Sequence, residues 1–515
     1  MQEFCYYSCM KIINIPSNSI EHFQEIISQL KKELQETKQE LKNEKLKNAY
    51  LLEQFRLARQ ERFAPKSEKN IYQADLFDEA GIEQEEIEDE QNTIEVKSHQ
   101  RKKHPVRKPL PSDLPREQII HDIKEEEKIC ACGEALSRIG EEITEQLKFI
   151  PAQLSVVQHV RPKYACKPCQ ENVRIAEMPI LLLPKSNATP ELIAHTVVSK
   201  YADAIPLYRQ SKIWNRVDID LPRSTMCSWL VKTAQICEPL VTILHKNTLA
   251  DSYIQADESP IQVLREPGRK DTSKSYLWVY RGGNNIVFDY QQTRGGYHAQ
   301  QFLQGFKGYL QTDAYSGYHF TEKITDIIRV GCMAHARRPF AQLVKLATKE
   351  GLAIKALDYF KKLYAIESYA RDHNLNHHDR YKLRNEKAPP ILTEFKDWLL
   401  HHITKVPKQH QLGKAMYYVL NHWEALTNYL KDGQLDIDNN KIENLIRPLA
   451  LGRKNYLFMG SPEGAKAGAL FYSLIATCTA NNVEPYNYFC KMLHQIRLCK
   501  TEDDYRKLLP QFIEF

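Results

Sequence analysis

From about residue 251 the chain breaks into short apolar runs separated by turn residues, and this texture limits the available folds more than any other feature. Ser252-Tyr-Ile-Gln-Ala-Asp-Glu-Ser-Pro260 reads as a strand ending in acids. Lys274 to Tyr280 and Ile286 to Gln291, joined by Arg281-Gly-Gly-Asn-Asn285, read as a hairpin. A helix is expected from about His298 to Phe306. Gly308-Tyr-Leu-Gln-Thr-Asp-Ala-Tyr-Ser-Gly317 gives a fourth strand, again with an aspartate at its end, and Asp326 to Val330 gives a fifth. Three strands, a helix and two more strands with helical covers call for a mixed sheet buried under helices.

That order of elements is the one found in mixed sheets of the ribonuclease-H type. A second stretch, from Leu435 to Ser461, packs acids, amides and bases into one short run. Asn439 or Asn440 is expected to cap a helix with its side-chain oxygen. Glu443 then falls in the first turn, where the helix dipole favours a negative charge. Asn440, Glu443, Asn444 and Arg447 share one face. Pro448 is expected to kink or end this first segment, because its ring clashes with the carbonyl four residues back. Asp257 and Asp313 end strands and Glu443 opens a helix. Three such carboxylates brought together stay ionised only with cations, because their repulsion raises their pKa values. Magnesium takes oxygen ligands, and a pair of such ions suits in-line attack on a phosphodiester. Arg447 and Lys454 are candidates to hold the phosphate, with Arg337 and Arg338. The alternative is a capped, solvated helix face with aspartates that cap loops.

The N-terminal half is organised differently. Over residues 18–60 one seam runs Ile20, Ile27, Leu34, Leu41, Asn48 and Phe55, and a second runs Phe23, Leu30, Thr37, Glu44, Leu51 and Ala58. Both step by seven, as in a coiled coil, and predict a homo-oligomer; the alternative is an amphipathic helix packed on its own chain. Residues 61–115 form a charged linker, acidic from Asp75 to Glu90 and basic from Arg101 to Lys108. In residues 120–175, Cys130, Cys132, Cys166 and Cys169 make two close pairs, the donor set of a closed structural zinc site. The alternative is four unrelated reduced thiols. In the helical region 185–248, Leu207 to Arg216 and Arg223 to Lys232 resemble a helix-turn-helix, which would present Arg223, Ser224 and Thr225 to DNA. An ordinary helical hairpin is the competing reading.

The fold class expected is therefore multidomain α+β. A first part of the sheet domain spans 251–340, a helical insertion 341–433, and a second part 434–480 carries Glu443. A helical element spans 481–515. Twelve cysteines in 515 residues, four of them in a metal-like pattern, argue for a reducing compartment. No apolar run reaches the roughly 18 residues needed to cross a membrane. Met1 to Met10 lacks the pattern of a secretory signal. A cytoplasmic protein is expected, associated with the nucleoid when bound to DNA.

Several segments also match a known family: Gln255-Ala-Asp-Glu-Ser-Pro260, Thr312-Asp-Ala-Tyr-Ser-Gly317, Gly331-Cys-Met-Ala-His-Ala-Arg-Arg338, Ile442-Glu-Asn-Leu-Ile-Arg-Pro448, Gly452-Arg-Lys-Asn-Tyr-Leu-Phe-Met-Gly-Ser461 and Asn481-Asn-Val-Glu-Pro-Tyr-Asn-Tyr488. In this order, after a zipper, a basic segment, a cysteine segment and a helix-turn-helix, the chain resembles bacterial insertion-sequence transposases of the IS-sixty-six group over nearly its whole length. The resemblance implies a DDE catalytic domain of ribonuclease-H-like fold, interrupted by a helical insertion. It makes Asp257, Asp313 and Glu443 the catalytic triad, holding two magnesium ions, or manganese in their place. Cys332 and His335 match the family's Cys-x-x-His element and would surround the centre, with Asn440, rather than bind zinc. Structural zinc would sit on Cys130, Cys132, Cys166 and Cys169. The partners implied are DNA, as element ends and as target, and small accessory proteins of the element. The implied chemistry is cleavage at the element's ends followed by strand transfer into target DNA. A catalytically dead zinc and helix-turn-helix repressor and a stand-alone nuclease are the other two readings.

Overall fold

A computed structural model of the chain describes residues 27–38, 40, 41, 44, 154–164, 174–346 and 351–514. The four cysteines expected to bind zinc, the linker 61–115 and most of the zipper lie outside these. The chain divides into two compact units, Asp78–Pro179 and the remainder. In the smaller unit, β1 (Lys163–Tyr164) pairs antiparallel with β2 (Arg174–Ile175).

In the larger unit residues 27–38 are helical (α1), with Ile27, Leu30 and Leu34 exposed. Three helices then lead into the sheet: α2 (Pro190–Tyr201), α3 (Leu207–Asn215) and α4 (Arg223–Leu249). Thr189 caps α2 by accepting from the Leu192 N–H, and Pro190 takes the first position, where its missing N–H costs nothing. The strands are β3 (Tyr253–Gln262), β4 (Lys274–Gly282) and β5 (Asn285–Gln291), then β6 (Gly308–Gln311) and β7 (Ile327–Val330) after α5 (Gly296–Phe302). Gly283 at φ +55° makes the two-residue β4–β5 loop. The sheet order is β5-β4-β3-β6-β7. β3 runs antiparallel to β4 and parallel to β6, and β6 runs parallel to β7.

Beyond the sheet come α6 (Met333–Leu346), α7 (Leu352–Asp372), α8 (His377–Ile403), α9 (Gln411–Asn421) and α10 (Trp423–Thr427). This helical insertion has a core of its own, including Tyr359, Phe360, Phe395, Leu399 and Met416, which also takes in Val330 and Ile437. The chain then returns to the sheet with α11 (Asn440–Tyr456), α12 (Pro462–Ala480), α13 (Pro485–Gln495) and α14 (Glu502–Lys507). α12 is buried almost throughout, and its many alanines and glycines let it approach β5 closely.

One of the two alternatives for Pro448, that it ends its helix, is corrected. α11 does not end at Pro448 but continues to Tyr456. Losing one intrahelical bond is outweighed by the burial of Ile442, Leu449 and Gly452 on its inner face. The helices from 190 to 249 share one hydrophobic core with the sheet; α3 and the start of α4 fall where the two helices of the helix-turn-helix were expected, and α4 runs on for 27 residues. Both edges of the sheet are covered. Ser473 and Thr477 of α12 accept the outward N–H groups of Phe288 (2.8 Å) and Ile286 (3.2 Å) on β5. Beyond β7, the Asn428 amide donates to the Arg329 carbonyl at 2.8 Å.

Candidate active site

The parallel register of β3 and β6 pairs Gln255 with Gln311. Side chains alternate along a strand, so Asp257 and Asp313, each two residues beyond its glutamine, lie just past the β3–β6 pairing. Asp313 follows the end of β6, but Asp257 does not end its strand as expected, since β3 runs on to Gln262 and pairs it with Val279 of β4. The register is fixed by a buried amide network. Gln255 donates to the Gln311 side-chain oxygen at 2.9 Å, and Tyr253 donates to the same atom. The Gln311 amide donates to the Asp436 carbonyl at 2.8 Å, tying in the segment before α11. Each aspartate is then held by backbone: Asp257 accepts from the Glu258 N–H at 2.8 Å and Asp313 from the Tyr315 N–H at 2.9 Å.

Glu443 is brought over this end of the sheet by Asn439. The Asn439 side chain donates to the carbonyl of Ala256, adjacent to Asp257, at 3.0 Å, and its backbone N–H donates to Cys332 Sγ at 3.2 Å. Asn439 therefore sits at the capping position without capping by its side chain. Asp438 serves instead, accepting from the Asn440 N–H at 3.1 Å and from the Asn440 amide at 3.0 Å. Tyr364 of α7 steadies Asp438 with a 2.8 Å hydrogen bond.

The electrostatics record how close the acids lie. Burial, and then the charges of Glu258, Asp313 and Glu443, push the Asp257 carboxyl up to about 8. Glu258 is raised by burial too, but Arg294 opposes the rise with a contact of 2.5 Å. Glu443 Oε1 lies 3.7 Å from His335 Nδ1, and both atoms are buried without a hydrogen-bond partner. Arg338 Nη2 approaches the other Glu443 oxygen at 3.6 Å. Ligand atoms of Cys332, His335 and Glu443 all lie within 4.8 Å of one another. Burial and the charges of Asp438 and Glu443 push the Cys332 thiol up to about 12, so it stays protonated at neutral pH.

Of the residues singled out in the sequence, Cys332, His335 and Arg338 gather at Glu443, the charges of Asp313 and Glu443 act on Asp257, and Asn440 bonds to Asp438. Among the described residues the three candidate ligands within 4.8 Å of one another are Cys332, His335 and Glu443 rather than the three carboxylates. Arg337 is buried. Arg447 is exposed one turn beyond Glu443, and Lys454 is exposed about 16 Å further along α11, away from the carboxylates. Arg223 and Ser224 are exposed and Thr225 half-buried in the first turn of α4. Sequence reasoning took Asn439 for a side-chain cap and missed its bond to Ala256, and it missed Asp438 and the Glu258–Arg294 pair. The repeated Asp436-x-Asp438 before a helix start was the available signal for Asp438; Arg294, 36 residues from Glu258, carried none.

A family model described as "Transposase IS66 family" matches residues 185–467. Others match 127–170 ("zinc-finger binding domain of transposase IS66"), 50–119 ("Transposase C of IS166 homeodomain") and 473–511 ("IS66 C-terminal element"). The second spans all four of the cysteines Cys130, Cys132, Cys166 and Cys169. Among relatives are proteins of Sinorhizobium fredii (strain NBRC 101917 / NGR234) printed as uncharacterized protein y4jD and uncharacterized protein y4qI. The first is 33% identical over 75% of this chain and 78% of its own length. The second is 30% identical over 84% and 82%. No described helix is long and apolar enough to cross a membrane.

Proposed function

The chain belongs to the IS66 transposase family, and from that premise we propose that it cleaves DNA at insertion-sequence ends and joins them to target DNA, with Asp257, Asp313 and Glu443 as the metal-holding triad. The observation that supports the reading is the Gln255–Gln311 register, which puts Asp257 and Asp313 on adjacent strands, together with the action of the Asp313 and Glu443 charges on Asp257. The strand order supports a ribonuclease-H-like sheet.

The donors fit a hard divalent cation. They are carboxylate oxygens, one of them, Glu443 Oε1, is buried without a hydrogen-bond partner, and Asp257 is crowded by like charges that a cation would offset. When bound, magnesium or manganese at these residues would activate the attacking oxygen and stabilise the leaving oxygen of a phosphodiester. The chain's own part is orientation. Backbone N–H groups fix Asp257 and Asp313, Asn439 fixes the turn that carries Glu443, and Cys332 and His335 pack beside that carboxylate. Arg338 and Arg447 face the phosphate. Hydrolysis frees a 3′-hydroxyl at the element's end, and that hydroxyl attacks the target strand.

The remaining parts serve DNA. The first turn of α4, with Arg223, Ser224 and Thr225, enters a groove. Cys130, Cys132, Cys166 and Cys169 hold structural zinc. The heptad seam joins copies of the chain, which works in the cytoplasm at the nucleoid with small accessory proteins of the element. The test is Asp257→Asn with magnesium and end-containing DNA. Cleavage and joined products are expected to vanish while end binding persists; joined products from the variant would reject the triad. Nicks without joined products from the wild type would leave a nuclease.

A further inference from the structure

One family-like motif, Gly452 to Ser461, has no part in the chemistry above beyond Lys454. It closes α11 with a turn of unusual geometry. Leu457 sits at φ +65°, ψ −48°, and the Phe458 N–H donates to the Tyr456 carbonyl two residues back at 2.7 Å. This is the positive-φ γ-turn, the rare and strained form of that turn. A leucine held there is under backbone strain of a kind that collects at functional sites.

The strain is not relieved by burial. Leu457 is 65% and Phe458 44% exposed, while the next residue, Met459, is buried. The turn is nonetheless firmly mounted. Met459 donates to the Gln262 carbonyl and accepts from the Leu264 N–H, both at 2.9 Å, so it bridges the end of β3. Arg265 clamps the Gly460 carbonyl with two hydrogen bonds, of 2.8 and 2.6 Å. Ser461 then caps α12. Two apolar side chains are thus presented to solvent on a rigid support. The neighbouring exposed charges are mostly basic: Arg447, Lys454, Arg265 and Lys466, with Glu463 and Asp271, which accepts from the Arg265 N–H at 2.7 Å, as opposing acids.

We propose that the Leu457–Phe458 turn is a nucleobase-contacting wedge that stacks on, and unstacks, a base step of the bound duplex. This rests on the reading of DNA as substrate. An exposed apolar tip with basic residues along the flanking chain matches what a duplex offers, phosphates outside and base faces within. α11 sets the spacing. Leu457 lies fourteen residues beyond Glu443, about 20 Å along the helix, or about six base pairs from the phosphate at the carboxylates. The wedge closes the helix that carries Glu443, so base contact and the position of that carboxylate are mechanically joined.

The test uses the full-length chain and duplexes copied from the DNA bordering the gene, with 2-aminopurine placed at successive positions. The wild type is expected to raise fluorescence at one or two positions about six base pairs from the cleaved phosphate. Phe458→Ala is expected to abolish that rise and weaken binding about tenfold, the order given by loss of one base–aromatic stack. Leu457→Gly removes the strain, so it should raise the melting temperature while lowering affinity. Phe512→Ala, an exposed aromatic elsewhere, should change neither. Duplex binding without a local fluorescence rise, or unchanged affinity in Phe458→Ala, would overturn the wedge and leave the transposase reading standing. So would a lowered melting temperature in Leu457→Gly without loss of affinity, or a change in light-scattering mass in its place, which would assign the turn to folding or to contact between copies. No duplex binding by the wild type would remove the transposase reading itself.

Discussion

Asp257 gives the molecule a pH signature. Its carboxyl is pushed up to about 8 in the folded chain by burial and by Glu258, Asp313 and Glu443, against about 4 when unfolded. Between those values the folded chain holds a proton that the unfolded chain has released. Its contribution to stability therefore falls as pH rises from about 4 to about 8, then levels off. Metal-free protein should melt lower at pH 8.5 than at pH 6, and magnesium should raise the melting temperature more at pH 8.5. Each kcal/mol regained is worth roughly 1 °C in a chain of this size, and Asp257→Asn should erase most of the difference in a thermal scan. A magnesium effect equal at both pH values would count against cation binding at this carboxyl. Asp313 and Glu443 were legible because strand ends and helix starts are marked by local pattern; Asp257 was picked out as a strand end, but β3 runs past it to Gln262 because β4 pairs with it there. The role of Asn439 was not legible, because its amide direction is decided by Ala256, 183 residues away in sequence.

At the level of elements, the insertion is tied to α11 by buried charge. Glu367 of α7 accepts two hydrogen bonds of 2.7 Å from Arg384, which is fully buried, and two more from Arg380. Burial alone would raise the Glu367 pKa, but the two guanidinium groups outweigh it and hold it below the usual range. Arg380 also lies 3.6 Å from Asp436, and Asp436 pairs at 2.9 Å with Lys441 in the first turn of α11. Glu367→Gln leaves Arg384 buried and uncompensated, a loss of about 3–5 kcal/mol measurable by urea unfolding. Replacing Glu367 and Arg384 together by Leu and Met should recover most of that loss; no recovery would mean the cluster is not acting as an ion pair. The strands were readable from alternation, and α12 from its apolar small residues. The charge cluster was not, because Glu367, Arg380 and Arg384 at helical spacing look the same as a solvated face. Pro448 misled for a related reason: local stereochemistry argues for a stop, and only the buried inner face of α11 carries the helix through.

For the molecule as a whole, the exposed residues of the seam matter most. Ile27, Leu30, Leu34 and Leu41 are each 50–58% exposed, an apolar row that a second helix would cover. Full-length protein is expected to scatter light as at least twice the 60.0 kDa of one chain, and Leu30→Glu with Leu34→Glu to fall to one. An unchanged mass would place self-association elsewhere. The outer row of the sheet points the same way. Hydroxyls of Ser473 and Thr477 already occupy the donors of Phe288 and Ile286 that an incoming strand would need. An extended peptide has no ladder to zip onto along β5, so this protein should resist amyloid-like stacking through that flank.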